Sequence, residues 1–416
     1  NMVWPTLEQY TDDAYALDFL AQLLSDGKKA PMYKVLVQDK KLTSRAIAYN
    51  NSQELAGEFH ITITANGNNK LADVESAVFE SFKKFEEESF TEQDVERIKA
   101  GLETGFYNSI SSVLGKSFQL AQYNVFAGDP GFITEDIENI KKVTKKDIIR
   151  VYNKYLKEKP YVITSFVPKG KLELAANNSK KAAVVEEVIK ENVDVKIADK
   201  NNKVEKTPSK FDRSVAPKAG KSPKLNIPDS WSVTLENDMR VLGIKQTEIP
   251  VVNFSIVIDG GHLLDSFDKN GVANLLTDIM MEGTANKTPL QLEEEIDLLG
   301  ASINMVTGNE AITIRGNTLV RNFEKTMKLV EEILLEPRWD EEELQRIKTS
   351  TINSVKRSAA NPNFVAGNVT NKLLYGDKHI FAYPISGSVE SIEAITMDDL
   401  KAFYKKNFSP SVSKFH

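Results

Sequence analysis

Cysteine is absent from the 416 residues of this chain. This absence excludes disulfide bonds, thiolate zinc sites and cysteine nucleophiles. It fits either a cytoplasmic or an exported bacterial protein, so it does not choose a compartment. The sequence also lacks any run of about 18 or more apolar residues, and it therefore predicts no membrane-spanning helix.

Signals for several common kinds of site are also missing. The net charge is −6 with both signs mixed along the chain, and the lack of a basic stripe argues against nucleic-acid binding. No P-loop, dinucleotide-binding glycine pattern or Gly-x-Ser-x-Gly elbow occurs. Histidine occurs only at His60, His262, His379 and His416, and no two of these have metal-ligand spacing. We interpret all four as structural or solvated.

The length and both ends of the chain indicate a portion of a larger protein. With 41% apolar and 27% charged residues, 416 residues predict a soluble globular chain of two or three domains. Residues 1–6 have the pattern of the end of a strand, and the sequence stops at His416 just after a predicted strand start. Residues 1–30 show no signal peptide. We therefore expect the chain to begin and end inside a longer sequence.

Two segments recur in the same order. Residues 90–99 align with residues 339–348 at an offset of 249, and residues 137–148 align with residues 389–400 at an offset of 252. Thr144 and Thr396 each precede an acidic first turn and an apolar-periodic run, which is the pattern of a helix start. Helices with similar caps can also align by chance, but two ordered matches favour a duplicated domain.

Each copy has the pattern of an α+β domain, a mainly antiparallel sheet with helices packed on one side. In the first copy, we predict helices over residues 12–24, 71–85 and 91–127, and strands over residues 42–50, 57–65 and 161–167. In the second copy, we predict strands over residues 231–234, 240–243, 251–258, 302–306 and 311–315, and helices over residues 272–281, 290–299, 323–334, 340–357 and 397–406. Asn237 and Asp238 mark a hairpin turn between the first two of these strands.

A different composition separates the copies. Residues 169–228 are rich in Lys, Ala, Asn, Pro and Ser, which is typical of a linker. We therefore predict a first domain at residues 1–168, a linker at 169–228 and a second domain at 229–416. Two apolar pieces of the linker, residues 183–185 and 193–197, could still pack on one of the domains.

The decisive stretch is residues 271–284, which follow an apolar predicted strand. This stretch resembles the zinc helix of the pitrilysin/insulinase metallopeptidases, where Gly-x-Ala-His-x-x-Glu-His-Met-x-x-x-Gly-Thr follows such a strand. The residues that frame the motif are present: Gly271, Ala273, Met280, Gly283 and Thr284. Met280 stands one residue later than the family's usual methionine.

The residues that perform the chemistry are replaced. The inverted zinc motif needs two histidines four residues apart to hold zinc, a glutamate between them to take a proton from the metal-bound water, and a distal glutamate ligand. By the resemblance, Asn274, Thr277, Asp278 and Ser354 occupy these positions. Asn is a feeble zinc ligand, Thr and Ser are neutral, and one carboxylate does not hold zinc. We therefore predict no catalytic residue, metal ligand or cofactor in this chain.

Two other interpretations of this helix stay open. The helix can serve packing alone, with Leu275, Leu276 and Ile279 on a sheet. Alternatively, Asp278 and Glu282, four residues apart, could hold a hard cation, although like charges at this spacing usually form a solvated face.

The resemblance covers most of the chain and implies a place in a larger enzyme. The family builds a clam-shell from four related domains in two halves joined by a linker. Residues 1–168 resemble the family's second domain, and residues 229–416 resemble a degenerate third domain. Zinc is then expected on a domain upstream of Asn1, and a fourth domain is expected after His416.

The resemblance implies a non-catalytic portion of a zinc metalloendopeptidase. The parent enzyme would enclose and hydrolyse a peptide, and this portion would supply a supporting domain, a hinge and an inert wall. Its partners would be the peptide and the two absent domains or a partner subunit. The alternative is a scaffold, assembly or peptide-binding protein of the same fold. The Lys- and Asn-rich composition hints at a bacterial source, and family habit slightly favours the periplasm over the cytoplasm.

Overall fold

The computed structural model describes residues 1–67, 69–182, 212, 214–216, 220–222 and 228–416. These residues form two sheets, each with its own buried core. Both sheets are mainly antiparallel and are packed with helices, so the predicted α+β class is confirmed. The apolar linker pieces predicted at residues 183–185 and 193–197 lie outside the described residues.

The first sheet has the strand order β2-β3-β1-β4, and its described pairings are all antiparallel. Its strands are β1 (Met2–Thr6), β2 (Thr43–Ser52), β3 (Gly57–Ala65) and β4 (Val162–Ile163). Its helices are α1 (Asp12–Ser25), α2 (Leu71–Glu88), α3 (Glu92–Ser109), α4 (Val113–Gln122), α5 (Ile133–Lys142) and α6 (Lys145–Val151). Fully buried Trp4, Phe19 and Phe59 bring β1, α1 and β3 into one core.

The second sheet has the order β5-β6-β10-β7-β9-β8, and only the β6–β10 pairing is parallel among the described strands. Its strands are β5 (Ser230–Thr234), β6 (Arg240–Ile244), β7 (Val251–Asp259), β8 (Ser302–Thr307), β9 (Ala311–Leu319) and β10 (Ser413–Phe415). Its helices are α7 (Val272–Met280), α8 (Pro289–Leu298), α9 (Phe323–Leu335), α10 (Glu341–Ser358), α11 (Pro362–Tyr375), α12 (Val389–Ala394) and α13 (Met397–Asn407).

The two domains share one arrangement of elements. The order β2-β3-β1-β4 recurs as β8-β9-β7-β10 within the larger sheet. Helices α3 and α10 have the same length and occupy the same place after the outer hairpin and one helix. Helices α6 and α13 both begin at a capping box, in which the Thr144 or Thr396 hydroxyl and an aspartate three residues later bond each other's backbone N–H. The recurring sequence segments therefore occupy corresponding helices.

Several predicted boundaries need correction; β9, for example, ends at Leu319 and not at residue 315. The helix predicted over residues 91–127 breaks at residues 110–112, because the Ser112 hydroxyl accepts the Gly115 N–H and starts a new helix there. The strand predicted over residues 161–167 is only the two residues of β4, which pair with Met2 and Val3. The predicted linker begins as packed chain, since Leu174 and Ala176 are buried.

The two domains meet through polar contacts between α3 and α8 and their flanking loops. Arg97 pairs with Asp297 at 2.8 Å, and the guanidinium of Arg321 reaches the Glu103 carboxylate at 2.6 Å. The Thr104 hydroxyl donates to the carbonyl of Gly300 at 2.7 Å. A Cβ at Gly300 would lie 2.5 Å from the Ala100 carbonyl oxygen, and its φ of +57° also suits glycine. Helix α3 therefore crosses a backbone that has no room for a side chain.

Candidate functional site

A buried histidine and aspartate fix the start of α7. The Asp265 carboxylate accepts the N–H groups of Gly271 at 2.7 Å and Ala273 at 3.0 Å, which caps the helix. His262 Nδ1 lies 3.0 Å from the same carboxylate, and Nε2 lies 3.1 Å from the carbonyl oxygens of Ile380 and Tyr383. His262 is fully buried, which confirms a structural role for this histidine.

The proton-acceptor position of the motif is part of the packing. Thr277 is buried, and its hydroxyl donates to the Asn274 carbonyl at 2.8 Å and lies 3.2 Å from the Thr307 hydroxyl. Thr307 in turn donates to the Ala273 carbonyl at 2.9 Å. This closed network joins α7 to β8. The group predicted at the position of the general base is therefore a neutral hydroxyl with its hydrogen bonds already made.

The two predicted histidine positions lie one turn apart on the open side of α7. Asn274 Nδ2 donates to Asp278 Oδ2 at 3.3 Å, a long hydrogen bond. Asp278 is solvent-accessible, but neighbouring groups displace much of the water around its carboxylate. This loss of hydration, together with the negative charge of Glu282 and against the pull of Arg346, raises the pKa of Asp278 to about 6. The predicted distal ligand Ser354 lies exposed on α10, which packs against α7.

The cation predicted as an alternative at Asp278 and Glu282 has no support in the geometry. Glu282 Oε2 lies 2.5 Å from Lys28 Nζ of the first domain, and Oε1 lies 2.6 Å from an Arg346 guanidinium nitrogen. Both carboxylate oxygens are thus bound by cations of the chain itself. Across the part of the chain that the structure describes, no three His, Asp or Glu side chains come together as a metal-binding group.

The packing interpretation of α7 is confirmed. Leu275, Leu276 and Ile279 are fully buried in the second core. They alternate with the accessible positions 274 and 278 as an amphipathic helix requires. The helix therefore keeps its structural face, while its open face carries Asn274 and Asp278 and is followed by Glu282, which forms an interdomain ion pair with Lys28.

The first domain contains a polar pocket that the sequence analysis missed. A cavity of about 330 Å³ lies between α1, the end of β2 and helices α3 to α5. Asp18 on α1 and Asp136 on α5 both line it. The signal in the sequence is Asp18 itself, a lone charge within the otherwise apolar run of residues 14–21.

Two family models match separate segments of the chain. A model described as the peptidase M16 inactive domain matches residues 1–102, and one described as insulinase (peptidase family M16) matches residues 240–379. None of the helices in the described part of the chain could cross a membrane.

Individual relatives are distant and match part of the chain. A probable mitochondrial-processing peptidase subunit beta of Arabidopsis thaliana is 24% identical over 194 residues, which cover 45% of this chain and 35% of the relative. An uncharacterised zinc protease of Bacillus subtilis is 22% identical over 177 residues, covering 42% and 43%. The matches thus span less than half the length of these relatives.

A solved structure also matches less than half of the chain. The crystal structure of a peptidase M16 inactive domain from Pseudomonas fluorescens has a TM-score of 0.43 and 24% identity, and the match covers 45% of each chain. The family models match a segment on each side of the predicted linker. The chain belongs to the insulinase (M16) family of peptidases.

Proposed function

We propose that this chain is the non-catalytic portion of a zinc metalloendopeptidase that encloses its peptide substrate. The first domain supports the neighbouring catalytic domain, and the second domain forms an inert wall of the chamber. Zinc and its ligands belong to a further domain, upstream in the parent protein. We also propose that the first and second domains arose by duplication, since they share strand order and helix caps.

The observation that carries the proposal is the state of Thr277. A general base must be able to accept a proton from a metal-bound water. The Thr277 hydroxyl instead links α7 to Thr307 of β8 inside the core. Asn274 and Asp278 beside it offer one weak and one usable ligand, which do not hold zinc. The matching of an inactive-domain model to residues 1–102 supports the same assignment for the first domain.

The contacts between the domains support a wall that can move. Arg97–Asp297, Lys28–Glu282 and Lys116–Glu248 are ion pairs at the domain boundary. Of these, Lys116–Glu248 is exposed and contributes little. The side chains of Arg97 and Glu282 are largely buried, so their pairs resist separation more strongly. Because the two apolar cores are separate and the boundary is polar, the domains can part and meet again without exposing a shared core, which hinge closure around a substrate requires.

The test combines metal analysis with a peptidase assay on the full chain. We expect no stoichiometric zinc after dialysis against zinc and no cleavage of a quenched fluorescent peptide library. A fourfold variant, Asn274→His, Thr277→Glu, Asp278→His and Ser354→Glu, should gain zinc affinity if the positions are assigned correctly. Its matched control carries the three changes at the ligand positions and keeps Thr277. Because position 277 is not a ligand position, this control should gain zinc affinity as well.

Two results would overturn the proposal. One is tight zinc binding by the unaltered chain. The other is peptide cleavage by the unaltered chain that a chelator abolishes. Either would mean that residues outside α7 and α10 perform the chemistry.

A second candidate is an assembly subunit of a peptidase complex. It is favoured by two helices without a buried residue, α4 and α11, whose apolar side chains Val113, Phe118 and Leu373 are at least two-thirds exposed. Such faces are usual at subunit or domain contacts. The sequence upstream of Asn1 decides between the two: a His-x-x-Glu-His motif there supports the peptidase, and a degenerate motif supports the assembly subunit. Peptide binding, a bacterial source and a periplasmic location stay predictions.

A further inference from the structure

The pocket of the first domain is walled by five elements. Residues of α1, the last residues of β2, one residue of α3 and two residues each of α4 and α5 surround a cavity of about 330 Å³. This volume lies at the lower end of the range for small-ligand sites, about 300–1,000 Å³. The cavity therefore suits one side chain or a small molecule.

One of the two carboxylates in the pocket has its hydrogen bonds from neutral donors. The hydroxyls of Tyr15 and Tyr123 each donate to one oxygen of Asp136 at 2.5 Å. Burial, and the contact with Asp136, raise the pKa of both phenols, so both remain protonated donors. The negative charge of Asp136 is thus solvated by the protein without being neutralised.

The other carboxylate has little compensation. Asp18 Oδ1 receives a hydrogen bond from Asn50 Nδ2 at 3.4 Å, which is long. Asp18 is accessible through the mouth of the pocket, but the walls displace bulk water. This desolvation, eased by Asn50 and reinforced by the charge of Asp136, raises the pKa of Asp18 to about 7. No Lys, Arg or His stands among the described residues that line the cavity.

We propose that this pocket binds an organic cation, the guanidinium or ammonium group of a basic side chain in a bound peptide. Asp18 and Asp136 supply the opposite charge, and the amide side chains of Asn50, Gln119 and Gln122 supply hydrogen-bond acceptors. Assigning the cation to a peptide rests on the proposed function. The pocket would hold one basic residue of the substrate against the first domain, away from the cleavage site.

The ring of Tyr10 adds a second kind of complementarity. It lines the same cavity as Asp18 and Asp136. A cation near an aromatic face gains attraction from the ring quadrupole, most strongly when water is excluded. The combination of carboxylates, amides and an aromatic wall suits a planar guanidinium, which has five N–H donors.

The experiment uses the full chain and a single blocked residue as the probe. N-acetyl-L-argininamide is titrated by NMR, and N-acetyl-L-citrullinamide, the neutral isostere, serves as the ligand control. We expect saturable binding of the first, with shifts at residues around the cavity, and binding of the second at least about tenfold weaker. Asp18→Asn should weaken the arginine probe about tenfold. Asp12→Asn, an exposed change on the same helix, should leave it unchanged.

A second variant guards against loss of folding. Gln122 is exposed at the pocket wall, so Gln122→Lys should keep the fold and place a cation in the pocket. It should compete with the probe and abolish detectable binding. Equal binding of arginine and citrulline probes, or unchanged binding by Asp18→Asn and Gln122→Lys, would overturn the proposal.

A further arm separates the two sources of such a cation. The blocked peptide acetyl-Gly-Gly-Arg-Gly-Gly-amide is compared with free agmatine. A peptide site binds the blocked peptide at least as tightly as agmatine, whereas tighter binding of agmatine would overturn the peptide assignment. These results do not depend on zinc or cleavage, so failure here is distinguishable from failure of the proposed function.

Discussion

Helices α1 and α7 occupy corresponding places in the two domains, but their accessible faces have different surroundings. Each is followed by a glycine with left-handed backbone, Gly27 with a φ of +79° and Gly283 with a φ of +96°. Counting back from these glycines places Asp18 opposite Asn274, and Gln22 opposite Asp278. In both helices these positions are accessible and the positions between them are buried.

The difference lies in what the open face meets. In α1 it borders a cavity, where Asp18 has one weak hydrogen bond and a second carboxylate nearby. In α7 the Asn274 side chain bonds Asp278, and Glu282, just after the helix, pairs with Lys28 of the first domain and Arg346 of α10. The same helix arrangement can therefore border an open cavity, as in α1, or form a contact with the other domain, as at α7, while its buried face stays the same. The predictions that follow test this contrast.

The largest effect is expected at the start of the helices, where α7 has a buried side-chain cap and α1 has none. Asp265→Ala leaves two helix N–H groups and His262 without their acceptor, and should cost about 3 kcal/mol of stability. Thr11→Ala, at the start of α1, should cost less than about 0.5 kcal/mol, because the Thr11 side chain makes no capping bond. Hydrogen exchange resolved to peptides measures both. If Asp265→Ala and Thr11→Ala reduced hydrogen-exchange protection equally in their own domains, the different roles of the two helix starts would be contradicted.

The next effect concerns the hydroxyl that α7 has and α1 lacks. Thr277→Val removes the link to Thr307 and should cost about 1 kcal/mol in urea unfolding. A double-mutant cycle with Thr307→Val should give a coupling of about 0.5–1 kcal/mol. In α1 the corresponding residue is Ala21, which has no hydroxyl. A coupling near zero would show that Thr277 is not held by β8.

A smaller effect is expected in the pH dependence of the free energy of unfolding, through Asp278 of α7. The folded state binds the Asp278 proton more tightly than the unfolded state, since its pKa rises from 3.8 to about 6. The free energy of unfolding should therefore fall as pH rises through this interval, and Asp278→Asn should remove the fall. Because the carboxylate is accessible, we expect less than about 1 kcal/mol.

NMR titration of the side-chain carboxyl carbons provides the direct measurement. Asp18 should titrate about a unit above Asp278, near pH 7. Asp12→Asn is the control: it changes an exposed residue of α1 and should leave the titration of Asp18 and Asp278 unaltered. Titration of Asp278 near pH 4 would show that desolvation and the charge of Glu282 do not raise its pKa.

The smallest effect tests the contact with the other domain at α7. Lys28→Gln removes the interdomain partner of Glu282 and should cost about 0.5 kcal/mol, with a loss that shrinks at high salt. Lys83→Gln disrupts a pair within α2 and serves as an intradomain control. Small-angle scattering should show partial separation of the domains only for Lys28→Gln. Separation in both variants would mean that net charge, and not this contact, holds them.

Much of the fold could be predicted because periodicity and caps are local signals. The β3 bounds predicted from alternation agree with the structure, and α7 was placed within one residue from its apolar face and flanking glycines. The capping threonines predicted at α6 and α13 also form capping boxes. Helix α11 was missed because it buries no residue and so has no apolar stripe toward a core.

The site was only partly predictable, for a physical reason. The replacement of ligand residue types at positions 274 and 277 is visible in the sequence, although their place in the zinc motif stays a prediction. The pairing of Glu282 with Lys28 joins residues 254 positions apart, and no spacing rule indicates it. The pocket of Asp18 needs side chains from five elements, and these meet only after folding.

Gly300 gives the domain boundary an unusual sensitivity. Its missing side chain lets the Ala100 carbonyl and the Thr104 hydroxyl approach the chain directly. A single added methyl group would act as a wedge, pushing α3 away and stretching several ion pairs at once. Gly300→Ala would thus separate the two domains without changing any charged residue. The distance between the domains could then be varied by experiment.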